Sequence, residues 1–324
     1  MTFRALRAYP VALALLLAGA GAAAQENYPT RPIRMIVPFA PGGGTDITAR
    51  AVAIRLGESW GQTVVPDNRP GANGTIGVDV ASKAAPDGYT ICMISSSHAV
   101  NVSLYSKLPY ELTRDLTAIT QLTAQPYAMI IHPSVPARSV KEFIAYAKTT
   151  PGTINYGSSG TGGIAHLGGA WLGSIAGINM VHVPYKGGAL ALTDMIGGQI
   201  QMQFGTLTLS GPHINAGRLR ALAVTTPKRW PGTPDLPTMQ EAGVPGFAIT
   251  QWYGLITSAK TPRSIVTKLN KEIVRILQLP DVKDKMASDG ADAVGNTPEE
   301  FNAHIRAEVV KYGKLVKQVG LKAE

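Results

Sequence analysis

The sequence predicts an α/β protein built as two similar halves, on three observations. Short apolar strands alternate with amphipathic helices, the alternation runs through the first half and again through the second, and each half places a Gly-rich loop between a strand and a helix. Of 324 residues, 45% are hydrophobic and 16% charged, too apolar for a disordered chain and ample for a sizeable core. The 35 Gly and 23 Pro follow no period, which excludes collagen and simple solenoids.

Residues 1–24 read as an export signal. Arg4 and Arg7 give a positive start, Val11 to Leu17 is apolar, and Ala22-Ala23-Ala24 supplies small residues before a cut at Gln25. The run is short for a membrane span, and no Cys at the cut offers a lipid anchor. The expected product is exported. Net charge falls from +9 to +7 when Arg4 and Arg7 are removed (9 − 2), and the remaining bases are scattered among acids. No Lys/Arg run is interleaved with aromatics, so no nucleic-acid partner is expected, though the positive balance favours anions in a cleft.

Along the exported chain, Ile33 to Val37 reads as a strand, followed by a Gly loop and a helix over about Thr45 to Leu56. Val64-Val65 is a second strand; Asn73-Gly74 marks a turn before a helix to about Lys83; Pro86-Asp87-Gly88 launches a strand from Thr90 to Ile94. This βαβαβ order argues for a parallel sheet covered on both faces. In the second half, Ser139 and Glu142 form a capping box opening a helix to about Lys148, and Pro151-Gly152 stops it. Ile154 to Gly157 is a strand, then come the second Gly loop and a helix from about Ile164 to Ile175. Val181 to Val183, Gln201 to Phe204 and Leu222 to Val224 are further strands, and 226–247 is an irregular Pro/Gly-rich connection. Toward the C-terminus, Thr261-Pro262 reads as an N-cap with Pro at the first helical position, and Ile265, Leu269, Ile273 and Ile276 share one face. Thr297 and Glu300 make another capping box, opening a helix lined by Phe301, Ile305, Val309 and Tyr312.

The two Gly loops are the most informative feature. They read Pro38-Phe39-Ala40-Pro41-Gly42-Gly43-Gly44-Thr45-Asp46 and Gly157-Ser158-Ser159-Gly160-Thr161-Gly162-Gly163-Ile164-Ala165-His166. Consecutive glycines let backbone N–H groups converge, and the helix that follows adds its positive end, an arrangement suited to an anion. The first lacks the G-x-G-x-x-G spacing and neither carries a Walker lysine, so a carboxylate fits better than a pyrophosphate. Plain tight turns are the structural alternative.

Catalytic signatures are sparse. No Ser sits in G-x-S-x-G, and none of His98, His132, His166, His182, His213 and His304 forms an H-E-x-x-H pair. The single Cys92 excludes an intramolecular disulfide or a Cys-based zinc cluster, so no metal and no cofactor are expected. Asp46, in a first helical turn, suits stabilisation of the helix end, and His166 either meets a ligand or packs there. A hydrolase built on Ser97 and His98 is the enzymatic rival; it lacks an evident orienting acid. Ser96, Ser97 and His98 follow a strand and reach a cleft at the carboxyl edge of the sheet; Pro184, Tyr185, Lys186, Gly187 and Gly188 do so in the second half. Phe204 is a candidate to pack on a ligand's variable end.

An ordered set of short motifs closely resembles the Bug family (TctC-like), the periplasmic solute-binding receptors of tripartite tricarboxylate transporters. It includes Tyr28-Pro29-x-Arg31-Pro32-Ile33, the run Val37 to Asp46, Asn68-Arg69-Pro70-Gly71-Ala72, Ala85-Pro86-Asp87-Gly88-Tyr89-Thr90 and Tyr156 to Gly160. It continues with His166-Leu167, Val183 to Gly188, Ala216 to Val224 and Leu236 to Gly246, so that it covers essentially the whole exported chain.

The resemblance implies a type II periplasmic binding protein fold, two α/β domains closing on a ligand. Domain 1 is expected over 25–125 plus 251–324 and domain 2 over 126–250, with crossings near Ala124 to Tyr127 and Ile249 to Trp252. It implies a non-enzymatic receptor that holds a small organic carboxylate by main-chain groups and bridging waters of the two loops; capture and delivery require no oligomer, so a monomer is expected. The residues so implicated are Pro41, Gly42, Gly43, Gly44, Thr45 and Asp46, with Ser158, Ser159, Gly160, Thr161 and Gly162 opposite. The implied partners are the transporter's membrane subunits, with a sensor kinase as the alternative. Gly205 stands where many relatives carry Asp after the Phe, which favours a carboxylate without an amino group.

Overall fold

The computed structural model describes residues 27–288 and 290–322; the export-signal segment lies outside the described residues. The chain first forms β1 (Ile33–Val37), α1 (Gly44–Trp60), β2 (Val64–Asn68), α2 (Thr75–Ser82), β3 (Thr90–Ser95), α3 (Ser96–Leu104) and a long β4 (Leu116–Ile131). Next come α4 (Val140–Thr149), β5 (Ile154–Ser158), α5 (Ile164–Ala176), β6 (Met180–Pro184), α6 (Gly188–Ile196), β7 (Met202–Thr206), α7 (Leu207–Asn215) and β8 (Arg220–Val224). The last part is β9 (Thr250–Ser258), α8 (Arg263–Leu277), α9 (Pro280–Ser288), β10 (Asp292–Ala293) and α10 (Pro298–Val319).

The strands are ordered β2-β1-β3-β9-β4-β7-β5-β6, with β8 and β10 also on β4. This is an α/β architecture in two lobes, and β4 belongs to both. Its residues up to Pro126 pair with β9, and from Tyr127 onward they pair with β7 and β8. The second crossing leads into β9, whose Thr250 lies opposite Pro126. Thr225 ties the crossings together: its N–H donates to Tyr127 O (2.9 Å), its hydroxyl accepts from Tyr127 N–H (3.0 Å), and that hydroxyl lies 2.8 Å from Ile249 O.

The expected parallel pairing is present for β1 with β2 and β3, and for β5 with β6 and β7. The sheet is nonetheless mixed, because β4 and β9 run antiparallel to their neighbours. Helices cover both faces. On one face of the first lobe, Ile265, Leu269, Ile273 and Ile276 of α8 are buried beside Val52 and Leu56 of α1, as their helical spacing predicts. Each such side chain contributes about 1.5–3 kcal/mol relative to exposure. On the other face, Phe301, Ile305 and Tyr312 of α10 pack near Val100 and Leu104 of α3.

The Thr297–Glu300 capping box forms, with reciprocal bonds of 3.2 and 2.9 Å. The Ser139 box is half formed. Ser139 Oγ accepts from Glu142 N–H, but the Glu142 carboxylate takes the N–H of Arg138 instead. Helix α8 begins one residue later than expected, with Pro262 as its N-cap.

Candidate functional site

Between the lobes lies a cavity of about 50 Å³, on a scale where an enclosed water needs roughly 10–15 Å³. Its wall is made at the starts of five helices. Gly43, Gly44 and Thr45 open α1; Ser95 and Ser97 open α3; Ala165 lies in the first turn of α5; Gly188 opens α6; Thr206 and Leu209 bracket the start of α7. Gly43, Gly163, Gly187 and Thr206 provide no side-chain cap to α1, α5, α6 and α7. The uncapped N–H groups and the positive helix ends together favour an anion there. No lining residue carries a formal charge; the other polar groups of the wall are Tyr127, Ser159, Gln203, Gln251 and Tyr253.

The first loop is shaped by Asp46, which is buried. Its carboxylate accepts from Gly42 N–H (2.9 Å), Arg50 Nε (2.9 Å) and Asn68 Nδ2 (2.9 Å). Burial opposes its charge, but these bonds outweigh burial and hold the carboxyl below its ordinary pKa. Asp46 and Gly42 are therefore spent inside the loop, and neither lines the cavity; Pro41 is exposed and outside it too. Gly44 is a close-approach glycine: a Cβ there would lie 2.5 Å from the Tyr253 hydroxyl oxygen.

Ser96, Ser97 and His98 follow β3 directly, as expected, but not as a loop. They form the first turn of α3, capped by Ser95. His98 Nδ1 accepts Ser95 N–H at 3.0 Å, and burial lowers the imidazole pKa to about 4. Ser96 Oγ bonds Gln251 Oε1. Ser97 alone of the three lines the cavity, and its hydroxyl accepts Ile164 N–H from the opposite lobe at 3.2 Å. Ser97 Oγ is taken up by the Ile164 N–H and His98 Nδ1 by the helix cap, so nothing in these contacts favours the rival nucleophile–base pair.

The second loop is braced from within. Ser158 Oγ accepts Gly160 N–H (3.1 Å) and lies 2.7 Å from His182 Nε2, while His166 Nδ1 accepts Gly162 N–H (3.0 Å). The His166 and His182 rings stack 3.6 Å apart and 5° from parallel. Burial lowers their pKa values to about 4 and about 3, with His166 adding to the effect on His182. Ser158, Gly162 and His166 thus support the loop and do not line the cavity.

Ser159 joins both the cavity and an outer recess that also holds Gly160, Thr161, Pro184, Tyr185 and Lys186. There the lobes touch: Ala40 N–H donates to Lys186 O (3.1 Å), and Tyr105 Oη to Thr161 O (3.4 Å). The Lys186 side chain is exposed, and the Tyr185 hydroxyl turns to Asp194 (2.6 Å). Gly187 meets Ala40 across this seam. Of the residues picked from sequence, the cavity gathers Gly43, Gly44, Thr45, Ser97, Ser159 and Phe204. Phe204 also stacks on Phe247, 5.3 Å between ring centres, so it serves the core as well. Sequence reasoning missed Phe39, Ser95, Tyr127 and Ala165. It also missed Gln203, Thr206, Leu209, Gln251 and Tyr253, whereas Gly188, expected at the cleft, does line the cavity. Gln203 and Gln251, polar residues within apolar strands, were the available signal.

Two α/β lobes joined through a shared strand, with a polar cavity at their seam, define a periplasmic-binding-protein fold. The chain belongs to the tripartite tricarboxylate transporter receptor family, whose model, "Tripartite tricarboxylate transporter family receptor", matches residues 48–321. Protein BugT of Bordetella pertussis is 37% identical over 317 residues, covering 96% of this chain and 97% of BugT. The solved R. palustris protein Rpa4515 with adipate is 36% identical, with TM-score 0.88 over 91% of this chain and 99% of its own. The solved periplasmic binding protein BugD is 35% identical, with TM-score 0.88 over 92% of this chain and 100% of its own.

Proposed function

We propose that this protein is a periplasmic receptor that captures a small organic carboxylate between its lobes and delivers it to the membrane subunits of a tripartite tricarboxylate-type transporter. The observation that carries the reading is the convergence of five helix N-termini on one cavity without a charged lining side chain. Each helix end favours an anion by about 0.3–1 kcal/mol when exposed and up to ~2 kcal/mol when partly buried. Five ends give a gross attraction on the order of several kcal/mol, comparable with the ~8 kcal/mol of micromolar binding. Gly43 to Thr45 line the cavity from one lobe and Ser159 and Ala165 from the other, so one carboxylate draws on both lobes. The likeness to a relative solved with adipate supports a carboxylate as the ligand.

In this reading residues 1–24 are removed on export. Domain 1 comprises 25–125 plus 251–324, domain 2 comprises 126–250, and the ligand favours closure by binding more tightly to the closed form. No helix among the described residues is long and apolar enough to cross a membrane.

The test is a thermal-shift panel of di- and tricarboxylates, aromatic acids, amino acids and sugars, followed by calorimetry. A ligand at about 100 times its Kd adds roughly 2.7 kcal/mol of stability. A selective shift with one carboxylate is expected. Silence of every carboxylate on protein shown by native mass spectrometry to be ligand-free overturns the reading.

A further inference from the structure

Four consecutive residues between β2 and α2 take positive φ: Gly71, Ala72, Asn73 and Gly74, at 133°, 45°, 49° and 88°. Ala72 and Asn73 are the only non-glycine residues with positive φ among the described residues. L-residues enter this region at a cost, and Asn bears it better than most. The turn carries Asn73 to the seam between the lobes, where it is 6% exposed and lines the outer recess.

Asn101 of α3, fully buried, fixes the Asn73 amide. Asn101 Nδ2 donates to Asn73 O (3.1 Å), a main-chain carbonyl that only accepts, so Asn101 Oδ1 is the atom left for the Asn73 side chain. Asn73 Nδ2 donates to that oxygen at 2.8 Å. Asn73 Oδ1 is thereby turned toward the second Gly loop of the other lobe. A Cβ built on Gly163 would lie 3.1 Å from it, and one built on Gly160 would lie 3.4 Å from it.

In this place Asn73 Oδ1 is buried and has no hydrogen-bond partner. The nearby donors of the facing loop are committed elsewhere. Gly160 N–H goes to Ser158 Oγ (3.1 Å), Gly162 N–H to His166 Nδ1 (3.0 Å), Gly163 N–H to Gly160 O (3.0 Å) and Ile164 N–H to Ser97 Oγ (3.2 Å). What covers the oxygen is the bare Cα side of two glycines. With the lobes apart, water would serve it; bringing them together removes that water and supplies no donor. The positive end of α5, where Gly163 is the N-cap, returns only part of the loss, because a neutral carbonyl carries a fraction of the charge that such an end attracts.

We propose, on the reading that the lobes close on a carboxylate, that Asn73 sets the resistance to closure: held rigidly in one lobe, it makes the lobes costly to join until a ligand draws them together. The cross-lobe bonds of Ile164, Ala40 and Tyr105 act in the opposite direction. The consequence is one of sign. Removing the Asn73 oxygen favours the closed form and tightens binding, the reverse of what deleting an attractive contact does.

The test needs no ligand. Lys260→Cys in one lobe and Lys141→Cys in the other, both exposed, carry a donor and an acceptor dye, while the buried Cys92 stays unlabelled. Single-molecule energy transfer on the ligand-free protein then counts closed against open molecules. Asn73→Gly removes the oxygen and suits a φ of 49°. The vacated space opens onto the recess of about 220 Å³, so that water serves Asn101. The closed-to-open ratio should rise about 3- to 30-fold, the order of one unpaired buried acceptor less what α5 returns. Gly163→Ala, at an ordinary φ of −63°, crowds the oxygen. It should lower the ratio in the parent, and lower it less in the Asn73→Gly background. An unchanged or lower ratio in Asn73→Gly overturns the proposal. So do equal effects of Gly163→Ala in the two backgrounds, or a single unvarying distance in every variant. The thermal-shift panel on the parent judges carboxylate capture separately, so the two readings fail independently.

Discussion

Replacing Gly44 by Ala should damage the central cavity, and the Tyr253 hydroxyl is the reason. The added Cβ would lie 2.5 Å from that oxygen and 3.4 Å from the ring carbon bearing it. The first distance cannot be kept, while the second is tight but tolerable. Tyr253 is buried at the centre of the sheet, so either its ring or the first turn of α1 must shift. Overpacking of this kind costs about 1–3 kcal/mol, partly offset by the ~1 kcal/mol that Ala gains over Gly in a helix. Net stability should fall by roughly 0–2 kcal/mol, a loss of up to several degrees in Tm at this chain length. Because both shifting groups line the cavity, carboxylate affinity should fall further, about 10-fold or more, since a misplacement worth 1.4 kcal/mol already gives that factor. Calorimetry with the carboxylate selected by the thermal-shift panel measures it. Gly43→Ala is the control, because its nearest atom would be Ala40 O at 3.8 Å. Gly44→Ala combined with Tyr253→Phe removes the offending oxygen and should recover most of the loss. Unchanged Kd and Tm in Gly44→Ala, or no recovery in the double variant, refutes the reasoning.

Other consequences are equally direct. Ser97→Ala removes the acceptor of the cross-lobe Ile164 N–H, and should weaken ligand binding about 5- to 30-fold with little change in the ligand-free Tm. Calorimetry and thermal melts together separate the two effects. Thr225→Val breaks the knot between the crossing segments and leaves buried main-chain groups unpaired, so stability should fall by about 1–3 kcal/mol in a urea melt. His166 and His182 have folded pKa values near 4 and 3, below the ordinary 6.5. The unfolded chain then binds more protons below pH 6.5, so their contribution is full above that value and is lost as pH falls toward 3. Melts from pH 7.5 to 4 should show a steeper loss for the parent than for His182→Gln.

Much of this architecture was legible because glycines and apolar stripes report on local geometry. The Gly42 to Gly44 run marked the start of α1, and the spacing of Ile265, Leu269, Ile273 and Ile276 gave the buried face of α8. What stayed hidden depended on contacts distant in sequence. Helix α7 contains Gly211 and Pro212, residues that argue against a helix, yet it forms where β7 delivers it to the seam. Strand β4 mixes Thr and Gln with apolar residues and carries Pro126, so no alternation announces its 16 residues. Asp46 and His166 were singled out correctly as unusual, but the sequence could not tell that their polar atoms are committed to main-chain N–H groups of their own loops. That distinction needs the fold, since a group spent on shaping a loop and a group offered to a ligand have the same chemistry.

The position of β9 has a consequence for how the molecule is made. Residues 250–258 fill the slot between β3 and β4, in the middle of the first sheet. Until that stretch has left the ribosome, the N-terminal strands β1, β2 and β3 lack their inner neighbour, and the first hundred residues cannot close a core. Contacts of such long sequence separation also slow collapse into the native state. The first lobe is thereby kept incomplete through most of the chain's synthesis, and the last quarter of the protein acts as the keystone that locks it.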